Sequence, residues 1–199
     1  MTDPKTLLAL AGAPLHPAPL DAAALLLIDA QREYTDGALP LAGIDAAVAQ
    51  TARLLELARR HGVPVVHVVH HGKPGGGLFD PAGAMAAIIP AVAPLEGEAV
   101  VSKALPNAFA GTGLDALLRA TGRTELIVAG FMTHMCVSST VRAALDLGWR
   151  STVVASATAT RDLPDVRGGV VPAAELQRAA LAALADRFAM VVEGADAWG

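Results

Sequence analysis

An α/β fold of three layers, a doubly wound, Rossmann-like α/β/α sandwich around a six-stranded, mainly parallel sheet, is the architecture this sequence predicts. Three observations predict it. Six short stretches rich in Val, Ile, Leu and Ala recur along the chain, most of them are apolar throughout rather than alternating, and helical patterns separate nearly every consecutive pair. A strand that is apolar on both faces suits a parallel sheet covered by helices on each side. Alternation of strand and helix is the order in which such sheets are wound.

The strand candidates are Ala23 to Asp29, Pro64 to His70, Ala99 to Ser102, Leu126 to Gly130, Thr152 to Ser156, and Ala189 to Val192. Between the first two, Leu41 to His61 places Ile44, Val48, Thr51, Leu54, Leu55 and Ala58 on one helical face and stops at Gly62. Glycine is a suitable terminator because it accepts the left-handed conformation in which many helices end. Leu114 to Thr121 ends before Gly122, His134 to Leu147 ends before Gly148, and Pro172 opens a helix reaching Phe188. One connection is abnormal. Gly72 to Glu98 is long and rich in Gly and Pro, as binding loops and lids tend to be.

The 199 residues, 53% of them hydrophobic, can bury one sizeable core, so a single domain is expected over residues 21–199. Residues 1–20 read as a loosely attached, Pro-rich arm. Their short Leu/Ala run ending in Ala-Gly-Ala weakly resembles a secretory leader, but Asp3, Pro4 and the shortness of the run oppose that reading. The net charge of -4, with 15 basic and 19 acidic residues and no Lys/Arg cluster, argues against nucleic acid or an anionic membrane as the main partner. A small neutral or polar molecule is expected instead. Apolar runs such as Ala22 to Ile28 are cut by Asp29 well short of the roughly 18 residues a membrane span needs. A single cysteine cannot form an internal disulfide, which fits a reducing, cytoplasmic compartment.

Open α/β sheets bind ligands at the carboxyl ends of their strands, near the point where strand order reverses. Three polar residues fall at such ends: Asp29 in LLLIDAQREY, Lys103 in VVSKALPNAF, and Cys136 shortly after LIVAG. Each has a plain alternative, as a turn-capping carboxylate, a solvated loop lysine and a buried apolar thiol. Together they share a chemical logic. A thiol at a helix N-terminus beside an ammonium meets a positive field that makes its thiolate accessible near neutral pH. A carboxylate there can take the thiol proton and later hand it to a departing amine. Backbone N–H groups of the FMTHMC turn could hold a tetrahedral oxyanion.

These segments resemble the isochorismatase-like cysteine hydrolases, the family of nicotinamidases and carbamoyl-amide hydrolases. The resemblance runs from Ala23 to Val192 and is carried by LLLIDAQ, by SKALPNAF and by AGFMTHMCVSSTVRAAL. It implies a catalytic triad in which Cys136 attacks a carbonyl to form a thioester, Asp29 shuttles the proton and Lys103 stabilises the charged site. It also implies a cis peptide bond between Phe131 and Met132, an oxyanion hole from the backbone N–H groups of Met132 and Cys136, and a homo-oligomer, dimer or tetramer. Retention of the cysteine favours C–N bond cleavage in a small amide or ureido compound over the vinyl-ether cleavage of isochorismatases.

The chain departs from the nicotinamidase pattern in its histidines. His67, His70 and His71 follow no metal-ligand spacing with a carboxylate, and His67 and His70 fall on opposite faces of an extended strand, so neither metal nor cofactor is expected. His71 or His70 is instead a candidate for lining the pocket, or for bonding to backbone alone. His134, two residues before Cys136, is badly placed to be the base, and Thr133 is a natural helix cap. Gln31, Tyr34, Asn107, Phe109 and Phe131 lie next to the proposed catalytic groups in sequence and are substrate-binding candidates, although Phe109 could equally fill the core. Arg161, after the fifth strand, could bind a substrate carboxylate or pair with Asp162. A nucleotide-binding reading finds no G-x-G-x-x-G after the first strand. A redox-active member of the fold remains the other alternative.

Overall fold

The computed structural model describes residues 3–199; Met1 and Thr2, part of the expected arm, lie outside the described residues. Its central sheet contains six strands: β1 (Ala23–Ile28), β2 (Val65–His70), β3 (Ala99–Lys103), β4 (Glu125–Phe131), β5 (Arg150–Ala159) and, at the far edge, β8 (Met190–Val192). Their order is β3-β2-β1-β4-β5-β8, and every pairing is parallel. The chain therefore winds outward from β1 in one direction and, after β3, returns to place β4 on β1's other side. That reversal lies between β1 and β4. A small antiparallel hairpin, β6 (Leu163–Pro164) with β7 (Val170–Val171), follows β5.

Period-two alternation along β1 explains the three layers. Ala23, Leu25 and Leu27 join one apolar cluster with Ile44, Ala47, Leu54, Leu55 and Ala58 of helix α2 (Ile44–Arg60). Ala24, Leu26 and Ile28 join a second cluster on the opposite face. There they meet Leu114 and Leu118 of α3 (Leu114–Ala120), Val141 and Ala144 of α4 (Ser138–Asp146), and Leu184 of α5 (Ala173–Arg187). All six residues of β1 are buried. The period expected over Leu41 to His61 is kept, but the helix begins only at Ile44, after a left-handed Gly43, and ends before a left-handed Gly62.

Three expectations are revised. β5 runs from Arg150 to Ala159, longer than the apolar stretch Thr152 to Ser156, because a register shift between Val128 and Gly130 lets it continue alongside the end of β4. The segment after β2 is not featureless: Ala84–Ala86 and Pro90–Val92 form 3₁₀ turns, and Ile88 bridges Gln31. The N-terminal arm is anchored rather than loose. Its short helix α1 (Leu7–Leu10) packs on α5, with the Leu7 amide donating to Asp186. Ala18 is fully buried, its amide bonded to Thr152 Oγ1 at 2.8 Å and its carbonyl to Trp198 Nε1 at 2.7 Å. Proline-rich composition predicts poor secondary structure, and it said nothing about these partners, which come from the distant C-terminal half. None of the described helices is long and apolar enough to cross a membrane.

One glycine brings β1 and β4 together at the reversal point. Gly130, with φ of +118°, sits opposite Ile28, and a Cβ there would overlap the Ile28 carbonyl and amide. Both the dihedral and the space exclude a side chain. Gly130→Ala is therefore expected to destabilise the fold by about 3 kcal/mol or more, read as a lowered urea midpoint, whereas Gly113→Ala, where a Cβ meets nothing within 4 Å, should leave the midpoint nearly unchanged.

Candidate active site

Asp29 follows directly on β1, Lys103 ends β3, and Cys136 lies in the turn after β4. Asp29 has a φ of +50°, a left-handed conformation that few non-glycine residues adopt outside functional turns. Its amide donates to Val68 and its carbonyl accepts from Gln31, which holds the residue at that angle. Lys103 stands two strands away from β1, a span of about 10 Å, given strand spacings near 4.8 Å. Only a long side chain can cross it. Its Nζ reaches Asp29 Oδ2 at 2.7 Å and Cys136 Sγ at 3.4 Å. All three residues are buried, Asp29 completely.

Cys136 sits in a single π-helical turn, Thr133–Val137, that runs straight into α4. Such turns occur most often at functional sites. The bond between Phe131 and Met132, just before it, is cis. Met132 turns its carbonyl into the helix, where it accepts from the amides of Met135 and Val137. Thr133 does not cap the helix as its residue type suggested. Its hydroxyl donates to the Ala159 carbonyl at 3.0 Å, tying the turn to the end of β5. His134 Nδ1 bonds Thr160 Oγ1 at 2.6 Å, so its ring is engaged with β5 rather than with the thiol.

The electrostatics reverse one expectation. Burial, reinforced by the Asp29 carboxylate, pushes the Cys136 thiol up to about 12 against the pull of Lys103. Both influences favour the protonated thiol over the thiolate. Burial likewise pushes Asp29 up to about 6, although the Lys103 ammonium opposes it. The net positive field expected at a helix start is outweighed because a second charge, the carboxylate, shares the same dry space. Asp29 Oδ1 is buried without a hydrogen-bond partner among the described residues. A base near neutrality with a free lone pair thus stands beside a thiol that needs one.

The pocket candidates divide into two groups. Tyr34 and Phe131 are buried and stack edge to face with ring centroids 6.0 Å apart, and burial, then the nearby Asp29 carboxylate, raises the Tyr34 phenol far above its usual value. Arg161, half-buried, lines a cleft of 450 Å³ with residues 38–42 and Asp162. It does not form the ion pair with Asp162 that the sequence allowed. Its Nη1 donates to the Asp162 carbonyl, while the Asp162 carboxylate accepts the Ala173 amide at the start of α5. Arg161 Nε is buried and unpartnered among the described residues.

Gln31, Asn107 and Phe109 are engaged elsewhere. Gln31 is fully buried, and its amide is consumed by backbone: Nε2 donates to the His70 and Ala86 carbonyls and Oε1 accepts from the His70 amide. It fastens β2 to the long connection rather than facing a ligand. Asn107 Oδ1 accepts the Phe109 amide within its own turn, and Phe109 packs against the α3–α4 cluster, the plain reading of that residue. His71 is half-buried and donates its amide to the Lys103 carbonyl. His67 is held by Glu98 at 3.1 Å. Burial would raise that carboxylate, but Arg59, the Leu95 amide and His67 together hold it down at about 2.

Sequence reasoning missed Glu33. It is buried, its Oε1 accepts the Ala38 amide and its Oε2 the Phe79 amide, so one carboxylate fixes both the segment after β1 and the Gly-rich loop. Phe79 in turn packs its ring 5.2 Å from those of Tyr34 and His70. A glutamate in a turn gives no hint of burial, so only the flanking aromatic Tyr34 could have signalled it. From the Gln31 clamp, Gln31→Leu is expected to destabilise the fold by about 2–4 kcal/mol, since three buried backbone groups lose their partners, and urea unfolding checks this.

Comparison with known proteins agrees with this fold. The isochorismatase domain model matches residues 23–196. An isochorismatase of known structure from Pseudomonas putida is 48% identical, with a TM-score of 0.93 over 98% of this chain and 99% of that one. A secreted isochorismatase effector from Verticillium dahliae is 38% identical over 93% of this chain and 95% of its own length. A maleamate amidohydrolase from Pseudomonas putida is 39% identical over 66% of this chain and 69% of its own. The domain match covers both the sheet and all three polar strand ends, and the chain belongs to the isochorismatase family of hydrolases.

Proposed function

We propose that this chain hydrolyses the C–N bond of a small amide or ureido compound through a thioester on Cys136. The observation that carries the reading is the buried convergence of Asp29, Lys103 and Cys136, with Lys103 Nζ 2.7 Å from the carboxylate and 3.4 Å from the sulfur. An amidohydrolase among the relatives supports it. Because the resting thiol is protonated, the reaction starts with Asp29 Oδ1 taking the Sγ proton as sulfur attacks the carbonyl carbon. Lys103 stays charged and offsets the negative charge that moves from carboxylate to sulfur. The amides of Met132 and Cys136 take the tetrahedral oxyanion. Collapse breaks the C–N bond, and protonated Asp29 gives its proton to the leaving nitrogen. Asp29 then takes a proton from water, whose oxygen attacks the thioester; the acid leaves and sulfur recovers its proton.

The cleft at Arg161 is lined by residues 38–42 and Asp162, and Arg161 acts electrostatically on Tyr34, beside Phe131, and on His134, two residues before Cys136. Its free Nε suits a carboxylate or carbonyl on the far end of the substrate. A second reading, acid-catalysed cleavage of a vinyl ether, draws on the isochorismatase names of several relatives and on a carboxyl raised to about 6. Cys136 separates the two readings, since the second has no use for a nucleophile.

An ammonia-release screen over nicotinamide, carbamoyl, ureido and hydrazide compounds is expected to find turnover that Cys136→Ala lowers by about 10³-fold or more. Equal turnover by Cys136→Ala would sink the thioester reading. Asp29 acts as base only when ionised, so kcat/KM should fall about tenfold per pH unit below about pH 6, the value at which its carboxyl takes a proton. In Asp29→Asn, activity should be lost while the circular dichroism spectrum of the folded protein is kept, with a lowered urea midpoint because Lys103 loses its buried partner.

A further inference from the structure

Lys103 has three N–H donors and no acceptor. Two point at groups already described, and the third contact is His70 Nδ1, at 3.5 Å. The placement follows from the sheet. His70 ends β2 and pairs in register with Lys103, so the lysine side chain must span the end of β2 to reach Asp29 on β1. The His70 main chain is fixed on both sides by Gln31, and its ring stands edge-on to Phe79 at 87°.

We infer that His70 is a positioning residue for Lys103, its neutral ring accepting the third lysine N–H through Nδ1 so that the ammonium stays aimed between Asp29 and Cys136. The inference rests on the triad reading above. An ammonium cannot accept a hydrogen bond, so this contact requires Nδ1 without a proton and places the ring's hydrogen on Nε2. The surroundings favour that state: burial, then the charges of Lys103 and His71, lower the tendency of His70 to become an imidazolium. The groups facing the ring are Lys103, His71 and the uncharged Phe79. A protonated His70 would place a second positive charge 3.5 Å from Nζ and push the ammonium off its line.

Cys136 is the only thiol in the chain, so its alkylation by iodoacetamide reports the site without any substrate. His70→Phe keeps a ring against Phe79 and removes the acceptor; His70→Asn puts an acceptor back near the Nδ1 position. Alkylation followed from pH 6 to 10 should be slower in His70→Phe by about tenfold at a given pH, the change one pKa unit makes in thiolate. His70→Asn should restore most of the rate. Wild-type alkylation by His70→Phe overturns the inference, and so does a slow rate that His70→Asn leaves unrepaired, since the ring would then act through packing alone. If His70→Phe does not fold, ¹⁵N-histidine spectra of the wild type decide: a ring protonated on Nδ1 overturns it. Loss of the Cys136→Ala effect on turnover would instead strike the triad reading, whatever His70 does.

Discussion

Everything in the candidate site depends on one ion pair shut off from bulk solvent. Asp29 and Lys103 come from strands separated by a third, and each would be costly to bury alone. Together they cancel most of that cost and hold the ends of β1 and β3 at fixed distance across β2. Cys136 is placed against this pair, not the reverse. The carboxylate is left with one oxygen free, and the lysine's two further donors reach the sulfur and His70 Nδ1. Breaking either charge leaves the other stranded, so the same pair that organises the chemistry also constrains the fold around it.

The positions of those three residues were legible because strand ends are legible. Apolar runs that stop at a single charged residue, as LLLID does at Asp29, announce both the strand and the place where it leaves the core. The doubly wound order then forces such ends to one side of the sheet. What the sequence did not convey was how side chains near the site divide between chemistry and support. Gln31, next but one to Asp29, is a polar residue in a promising place, yet its three hydrogen bonds all go to backbone. Thr133 has the residue type of a helix cap, but the turn enters as a π-helix and the hydroxyl finds the Ala159 carbonyl instead. Both errors have one cause: a polar side chain takes the nearest unsatisfied backbone group, and which group is nearest depends on neighbours distant in sequence.

The electrostatics of Cys136 were hard to read for a related reason. Helix start and lysine are local or motif-level signals, both of which favour a thiolate. Desolvation is not local. It is set by how completely Val137, Val141 and the strands below close over the sulfur, and that closure is visible only in three dimensions.

A thiol held at about 12 has a consequence for survival of the protein as well as for its reaction. Peroxides and adventitious electrophiles attack thiolates far faster than thiols, and Cys136 shows almost none of either form to solvent. In the proposed reaction the nucleophile exists only while Asp29 holds its proton. A strongly acidic thiol would be ready sooner and spoil sooner; in the proposed reaction the protonated thiol gives up standing readiness for resistance to peroxides and electrophiles.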